Sequence, residues 1–340
     1  MSGLIFYIFA VSKVFTIRVF ADEKPTEITI ASTEGTYKIQ ASGDMLFVNG
    51  NKTPYFQQME AQSYTIIAGG KTRSYAGGFT FYSFDGEMYI LNYIPEEAYI
   101  ASVVASEIPG AQPEARKAQA ILARTYVYKN VGRHGQYDLC DGQHCQVYRG
   151  LPVDASSLSA AQGTAGLVLG YKGTIADIYY HSTCGGMTLL PSDVWPGMKD
   201  QPYHQRVKDT LCRISPYYEW DDTFNLDPLF INLGFGQMPS SVKVVRDKDW
   251  SPVKGFVFFA PDSVYFDYSR VSDAIDHHPM TRIFDAEIKE TLLILHAHGY
   301  GHAVGMCQVG AMALAKSGAN YRDILTFYFP GTEILSLASF

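Results

Sequence analysis

Alternating apolar and polar residues dominate the first quarter of the chain. Residues 16–94 contain segments bounded by glycine or Asn-Gly turns, which read EITIAS, TYKIQA, MLFVNG, SYTIIA and GFTFYSFDGEMYILNY. A period of two residues is typical of strands that bury one face. The pattern therefore predicts a β-rich region over residues 16–94.

A helical hairpin is predicted to follow these strands. The first helix, about 95–108, begins at Pro95, which presets a helical φ, and ends before Pro109, which forces the preceding residue out of the α region. The second helix, about 113–130, opens with Pro113. Its alanine-rich face allows close packing, so the two helices are expected to form a rigid pair.

Glu107, near the end of the first helix, is the candidate catalytic residue. It shares the apolar stripe of Ile100 and Val104, and we expect it to face inward. Desolvation and the negative end of the helix dipole both favour a protonated carboxyl there, which suits a general acid. The simpler alternative is a partly solvated glutamate that pairs with Arg116 or Arg124.

Composition narrows the function classes. The chain has 340 residues, 47% of them hydrophobic, and a net charge of −7 with a pI near 5.7. These values describe a globular protein without the basic field that binds nucleic acid. Five cysteines are few for a chain of this length, and an odd number leaves at least one unpaired, so a disulfide scaffold is excluded. Cys184 and Cys212 could still pair in an oxidising compartment.

The stretch HGQYDLCDGQHCQVY contains four candidate metal ligands, His134, Cys140, His144 and Cys145. Two imidazoles and two thiols could ligate a tetrahedral zinc, which would be structural because no position stays open for water. The adjacent His144 and Cys145 make the spacing imperfect. The alternative is a thiol pair or a Cys140–Cys145 disulfide, with the histidines on the loop surface.

The segment LVLGYKGTIADIYYHSTCGGMT predicts a hairpin with a Gly-Tyr-Lys-Gly turn. Alternation would place Asp177, Tyr179 and His181 on one face. The strand ends at Gly185 and Gly186, whose backbone amides could approach a ligand closely. The alternative is a polar strand end followed by a tight turn.

Residues 195–290 carry weaker signals. Strands are expected around VKVVRD and GFVFFA, and a short helix around DPLFINLG. Trp195, Trp220 and Trp250 are predicted to be core residues rather than sugar-binding platforms. His277 and His278 are expected at the surface.

The stretch TLLILHAHGYGHAVGMCQVGAMALAKSG predicts a strand over residues 292–298, a glycine turn, and a helix from near Met306 to Gly318. His298 and His302 flank the turn. We expect them to line a groove as hydrogen-bonding groups, with zinc ligation as the second interpretation.

An apolar run, GLIFYIFAV, occupies residues 3–11. It is too short to span a bilayer and lacks the basic start of an export signal. We interpret residues 1–15 as a remnant of a signal or anchor; alternatively, TIRVF (residues 16–20) is simply the first strand.

Three blocks in the same order resemble the stage II sporulation protein D family, which includes LytB-type amidase enhancers. They are VVASEIPGAQPEARKAQAILARTYVYK, then DLCD..HCQVYRG with YHSTCGG, and finally GHAVGMCQVGA with FPGT. Ala303 and Cys307 depart from the family signature, which has Gly and Ser there. The resemblance implies an α+β fold in which β-rich regions flank a central helical hairpin and a groove lies between two subdomains.

The resemblance covers most of a domain at residues 16–335. That domain would comprise the β-rich part (16–94), the helices and zinc-like loop (95–150) and a more variable subdomain at about 195–290.

The resemblance also implies an activity. Enzymes of this family are lytic transglycosylases, which cleave the glycan strands of peptidoglycan to 1,6-anhydro-muramyl products. They prefer strands from which an amidase has removed the stem peptides. The resemblance puts the family's essential glutamate at Glu107. The groove would be lined by Arg124, Tyr126, Tyr179, His181, Ser182, Gly185, Gly186, His302 and Gln308.

Catalysis would need no cofactor, and zinc would be structural. The implied partners are glycan strands and an N-acetylmuramoyl-alanine amidase, in the cell envelope outside the cytoplasm.

Two other function classes remain open from the sequence. One is a non-catalytic peptidoglycan-binding module that enhances an amidase. The other is a zinc-dependent hydrolase that uses His296, His298 and His302.

Overall fold

The computed structural model describes residues 13–59, 61–275 and 282–340. It is a mixed α+β structure of two compact units. The first unit is the chain up to Leu169 together with Ile334–Phe340, and the second is Gly170–Glu333. The apolar run at residues 3–11 and the pair His277 and His278 lie outside the described residues. Among the described residues, no helix is long and apolar enough to cross a membrane.

The first unit begins with strands and continues with helices. Its elements are β1 (Val14–Arg18), β2 (Glu27–Ser32), β3 (Gly35–Ser42), β4 (Met45–Val48), β5 (Asn51–Thr53), β6 (Tyr55–Gln58), β7 (Ser63–Ala68), β8 (Lys71–Ala76), β9 (Gly78–Phe84), β10 (Glu87–Pro95), α1 (Glu96–Glu107), α2 (Pro113–Asn130), β11 (Leu139–Cys140) and α3 (Ala155–Gly163).

The remaining elements are mostly short. They are β12 (Leu167–Tyr171), β13 (Thr174–Ile175), β14 (Tyr180–His181), β15 (Gly186–Met187), α4 (Pro191–Val194), β16 (Lys208–Asp209), β17 (Glu219–Asn225), α5 (Leu226–Leu233), β18 (Ser241–Val245), β19 (Gly255–Ala260), β20 (Asp262–Asp267), α6 (Tyr268–Ala274), β21 (Arg282–Lys289), β22 (Leu292–His298), β23 (Met306–Cys307), α7 (Gln308–Lys316), α8 (Tyr321–Tyr328) and β24 (Glu333–Ser336).

Two sheets form the β-rich part of the first unit. One has the strand order β5-β4-β3-β2-β7-β8, and the other has the order β11-β1-β10-β9-β6. Alternate residues, such as Ile28, Ile30, Phe79 and Phe81, are buried, as the period of two predicts. The strand prediction for residues 16–94 is therefore confirmed, with three further strands (β5, β6 and β8) that the sequence did not indicate.

The helical hairpin has the predicted bounds. The helix α1 ends at Glu107, and Ile108 leaves the helical region, with φ −134° and ψ 57°, because Pro109 follows it. The helix α2 begins at Pro113 as expected. Both helices pack against each other and against α3.

In the second unit, two antiparallel sheets, β17-β22-β21 and β18-β19-β20, share a core that includes Phe256, Phe258, Leu293 and Leu295. A short parallel pair, β14 with β23, aligns Tyr180 with Met306 and His181 with Cys307. Two motifs that are distant in sequence thus become neighbours, and most candidate residues of this unit lie on or beside this pair.

Candidate functional site

Glu107 is the last residue of α1, and its side chain is half-buried. Ile100 and Val104 on the same stripe are fully buried. The amide of Val147 donates a hydrogen bond of 2.7 Å to Glu107 Oε1. The carboxyl is therefore anchored through one oxygen yet keeps some contact with solvent, which differs from the fully inward orientation that the stripe predicts.

The two arginines proposed as ion-pair partners of Glu107 bind other acidic residues. The Nη1 atom of Arg116 lies 2.8 Å from both carboxylate oxygens of Asp154. Although burial opposes it, these hydrogen bonds lower the pKa of Asp154 to about 2. Arg116 thus ties α2 to the start of α3.

Arg124 is fully buried, which corrects the expectation that it lines a glycan groove. Its Nε donates to Glu96 Oε1 at 2.9 Å and its Nη2 to Glu97 Oε2 at 2.8 Å. Its Nη1 donates to the carbonyl of Thr164 at 2.7 Å. A guanidinium enclosed in this way joins the start of α1 to the end of α3.

The four candidate metal ligands of the first unit converge. One ligand atom from each of His134, Cys140, His144 and Cys145 lies within 4.8 Å of all the others. The Nδ1 atom of His144 is 3.7 Å from Cys140 Sγ and 3.6 Å from Cys145 Sγ, and His134 Nε2 is 3.2 Å from Cys145 Sγ. The adjacent His144 and Cys145 can therefore both reach one ion, and this set fits a tetrahedral zinc.

Residues 134–145, which carry these four candidate ligands, are called the metal-binding loop for this candidate role, and their electrostatics suit a cation. A hydrogen bond from Cys145 is the largest cause that lowers the pKa of Cys140, to about 6, while the same bond raises the pKa of Cys145. Burial lowers the pKa of His134 below its usual value. A thiolate and a neutral imidazole are the protonation states that a metal requires of its ligands.

Two aspartates, which the sequence reading passed over, hold the loop in place. Asp138 accepts a hydrogen bond of 2.8 Å from the amide of Thr16. Asp141 is buried and accepts hydrogen bonds of 2.8 Å from the amide of Phe20 and from Arg73 Nη1. The repeated Asp of the DLCD segment, flanking a cysteine, is the signal that could have revealed this role.

Tyr126 also contacts the loop. Its hydroxyl donates to the carbonyl of His144 at 3.3 Å and accepts from Arg133 Nη1 at 3.1 Å. Burial raises the pKa of this hydroxyl above its usual value. These contacts give Tyr126 a part in supporting the metal-binding loop.

In the second unit, an aromatic cluster surrounds His302. The ring centroid of His302 lies 5.1 Å from that of Trp195, 5.5 Å from that of His181 and 6.3 Å from that of Tyr179. Tyr179 and Trp195 are themselves 5.0 Å apart and only half-buried. Trp195 packs against the small core cluster of Leu189, Ala303 and Val304, as expected of a core residue, but its ring stays partly exposed and could also pack against a sugar.

His302 is held as a neutral imidazole. The amide of Val304 donates to His302 Nδ1 at 3.0 Å, so Nε2 carries the hydrogen. Burial lowers the pKa of the ring to about 4. At neutral pH His302 is thus a hydrogen-bond donor without charge.

The strand end at YHSTCGG is packed more tightly than predicted. His181 is buried, whereas Asp177 and Tyr179 are half-buried, and the rings of Tyr179 and His181 both lie beside His302. A Cβ on Gly185 would lie 2.6 Å from the amide nitrogen of Gly299. This glycine therefore permits backbone packing within the protein rather than the close approach of a ligand.

Ser182 and Gly186 keep some exposure beside this turn. Gln308 begins α7 and is largely buried.

The histidines of the hydrolase alternative do not gather around one point. His296 Nδ1 lies 2.6 Å from Asp221 Oδ1, and the ring of His298 packs against Phe284 with centroids 4.2 Å apart. Within the described residues, neither potential metal-ligand group includes His296 or His302. This arrangement gives no support to a catalytic zinc on these residues.

Comparisons with known proteins converge on one family. A family model described as "Stage II sporulation protein" matches residues 84–171, which contain Glu107 and the metal-binding loop. The stage II sporulation protein D of Bacillus subtilis is 27% identical over 286 residues, which cover 73% of this chain and 76% of that protein.

Two further relatives show similar identity. The amidase enhancer of Bacillus subtilis is 27% identical over 289 residues, covering 70% of this chain and 40% of that protein. An uncharacterized protein of Brachyspira hyodysenteriae is 26% identical over 274 residues, covering 77% of this chain and 72% of that protein.

Proposed function

Because the chain belongs to the stage II sporulation protein D family, as a distant homologue of that protein and of the amidase enhancer, we propose that it is a lytic transglycosylase. Its substrate would be the glycan strands of peptidoglycan, preferably those without stem peptides, and its place the cell envelope. The observation that carries the proposal is the anchored, half-buried carboxyl of Glu107 at the end of α1.

One carboxyl suffices for this reaction. Most glycosidases need two, because a second carboxylate activates water or attacks the anomeric carbon. In a transglycosylase the C6 hydroxyl of the substrate is the nucleophile. The protein must then supply one acid that can become a base.

Glu107 donates one proton and recovers one in each reaction cycle. The protonated carboxyl gives its proton to the glycosidic oxygen as the bond to the anomeric carbon breaks. The resulting carboxylate takes the proton of the C6 hydroxyl while that oxygen bonds to the anomeric carbon. The product is a 1,6-anhydro sugar, and Glu107 is again protonated.

The metal-binding loop would act by positioning. Zinc, when bound, would fix the loop, and four protein ligands leave it no open coordination position. Val147, whose amide holds Glu107 Oε1, lies two residues beyond the ligand Cys145. A fixed loop therefore keeps this donor in place, and precise placement of an acid contributes strongly to its rate.

Sugar binding is proposed for the aromatic cluster of the second unit. The half-buried rings of Tyr179 and Trp195 offer apolar faces beside the uncharged ring of His302. Rings of this kind have an apolar body and a polar edge, which suits the alternating faces of a sugar.

The decisive experiment compares Glu107→Gln with Glu114→Gln. Both changes remove one carboxylate from the helical hairpin, but Glu114 pairs with Lys117 on the surface of α2. Amidase-treated sacculi are incubated with each purified chain, and anhydro products are counted by mass spectrometry. Loss of a general acid should reduce product release about 100- to 10,000-fold in Glu107→Gln, with Glu114→Gln unchanged.

Folding is checked by circular dichroism for both variants. Undiminished release from a folded Glu107→Gln chain would refute the proposal.

The similarity to an amidase enhancer favours a second candidate, a non-catalytic module that binds peptidoglycan and stimulates an amidase. The same incubation separates the two functions. Retention on sacculi without anhydro products, together with faster stem-peptide release by an added N-acetylmuramoyl-alanine amidase, would identify the module.

A further inference from the structure

The second unit contains a buried group of four residues that the proposed reaction does not use. It consists of Cys184, Asp209, Cys212 and Cys307, called here the cysteine–aspartate cluster. All four are fully buried, and one ligand atom from each lies within 4.8 Å of all the others. All three cysteines are free thiols.

The spacing inside the cysteine–aspartate cluster matches a metal coordination shell. Cys184 Sγ lies 3.4 Å from Cys212 Sγ and 3.5 Å from Asp209 Oδ2. Zinc binds sulfur at about 2.3 Å and carboxylate oxygen at about 2.0–2.2 Å, so tetrahedral ligands stand about 3.5–3.8 Å apart. The Cys184–Asp209 separation lies at this edge length, and the Cys184–Cys212 separation lies just below it.

The carboxylate of Asp209 is oriented by neutral donors. The hydroxyl of Tyr328 donates to Oδ2 at 2.8 Å, and the amide of Leu211 donates to Oδ1 at 3.0 Å. A buried carboxylate is stable when a cation or a metal balances its charge, and partners of this kind orient metal ligands in known sites.

Two backbone amides fix the position of the Cys307 sulfur. It accepts hydrogen bonds from the amide of Cys184 at 3.3 Å and from the amide of Gly310 at 3.4 Å. Gly310 itself leaves no room for a side chain, since a Cβ there would lie 2.1 Å from the Tyr328 hydroxyl and 2.2 Å from Asp209 Oδ2. The start of α7 is thus fitted closely around the cluster.

We propose that the cysteine–aspartate cluster binds one zinc ion, separate from any zinc in the metal-binding loop. Three thiols select a thiophilic metal, and the carboxylate favours zinc over copper(I). Four protein ligands close the coordination sphere, so this zinc is structural. It joins the YHSTCGG turn, the segment around Asp209 and the start of α7, which carry the residues beside His302.

The first test is metal content, measured on the full chain purified under reducing conditions with zinc present. A Cys145→Ser chain, which lacks a ligand of the metal-binding loop, should still contain one zinc per chain by elemental analysis. Adding Cys307→Ser should remove it. A Cys145→Ser chain that holds no zinc, or whose zinc survives the Cys307→Ser change, would overturn the proposal.

Cobalt(II) provides a readout of the ligands. In the Cys145→Ser chain, cobalt should give tetrahedral visible bands and thiolate charge-transfer absorption of three-sulfur intensity, which falls when Cys307 is replaced. Octahedral cobalt bands, or a Cys184–Cys212 disulfide found by mass spectrometry in the cobalt-loaded protein, would contradict the proposed ligand set.

A milder variant covers the case in which Cys307→Ser fails to fold. Tyr328→Phe removes only the hydroxyl that orients Asp209. Competition with a chelator should show zinc affinity reduced about 10- to 100-fold, as for other outer partners of metal ligands. Unchanged affinity would show that Asp209 is not a ligand and would refute the proposal as stated.

Discussion

Replacement of Arg124 by methionine should destabilise the first unit rather than weaken substrate binding. The guanidinium is fully buried and pairs with Glu96 at 2.9 Å and Glu97 at 2.8 Å. Removing one partner of a buried ion pair costs about 3–5 kcal/mol, because the remaining charge stays without compensation. The carbonyl of Thr164 also loses a donor, which places the cost toward the upper end.

A loss of about 3–5 kcal/mol corresponds to a fall of roughly 6–20 °C in melting temperature for a unit of this size. Burial already raises the pKa of Glu97 despite the nearby Arg124. Without the arginine this carboxylate should take up a proton more readily, so the stability deficit of Arg124→Met should shrink as the pH falls.

Two measurements test this prediction: amide hydrogen exchange of peptides from α1, α2 and α3, and the thermal unfolding temperature of the chain. Arg124→Lys keeps the charge but loses the planar fork, so an intermediate deficit is expected. Arg322→Met, at an exposed position on α8, is the matched control and should change stability by less than about 0.5 kcal/mol. An Arg124→Met chain with normal exchange and melting, but weaker retention on glycan strands, would refute this reasoning.

Three further predictions concern the two candidate sites. The pKa of His302 is about 4 in the folded chain, against the ordinary value of 6.5. The stability that the neutral ring contributes, about 3 kcal/mol at most, is therefore complete above pH 6.5 and is lost as the pH falls toward 4. His302→Phe should flatten the pH dependence of the free energy of unfolding, measured by chemical denaturation. Equal slopes would contradict burial of the neutral ring. Trp195→Ala should weaken binding to stripped glycan strands about 5- to 10-fold in a pelleting assay, with Trp195→Phe closer to wild type, and equal binding by all three chains would exclude a sugar contact. Cys145→Ser should lower the zinc content of the metal-binding loop and reduce kcat more than it raises KM, whereas an unchanged kcat after zinc loss would break the link to Glu107.

Local signals in the sequence predicted the helical hairpin and the main strands of the β-rich part best. Prolines 95, 109 and 113 set the ends of α1 and α2 within one residue, since proline restricts its own φ and the preceding residue. The strands β5, β6 and β8 were not indicated, because they are short or carry mostly polar residues and owe their conformation to pairing with neighbours.

Long-range contacts decided what the sequence could not predict. Arg124 looks like an exposed helical cation until α3 covers it, and its hydrogen-bond acceptors come from 27 to 43 residues away. The cysteine–aspartate cluster draws on three separate stretches, so no spacing rule could reveal it. In contrast, the sequence alone indicated the metal-binding loop, because its four candidate ligands lie within twelve residues.

The short parallel pairing of β14 with β23 has a consequence for biogenesis. Among the described strands, β14 has β23 as its partner, and the two segments are about 125 residues apart in the chain. At ordinary synthesis rates the ribosome needs about 6–25 seconds to make the missing partner. The segment around Tyr180 cannot pair with β23 during that interval, so premature termination before Met306 should yield a product that chaperones and proteases recognise as incomplete.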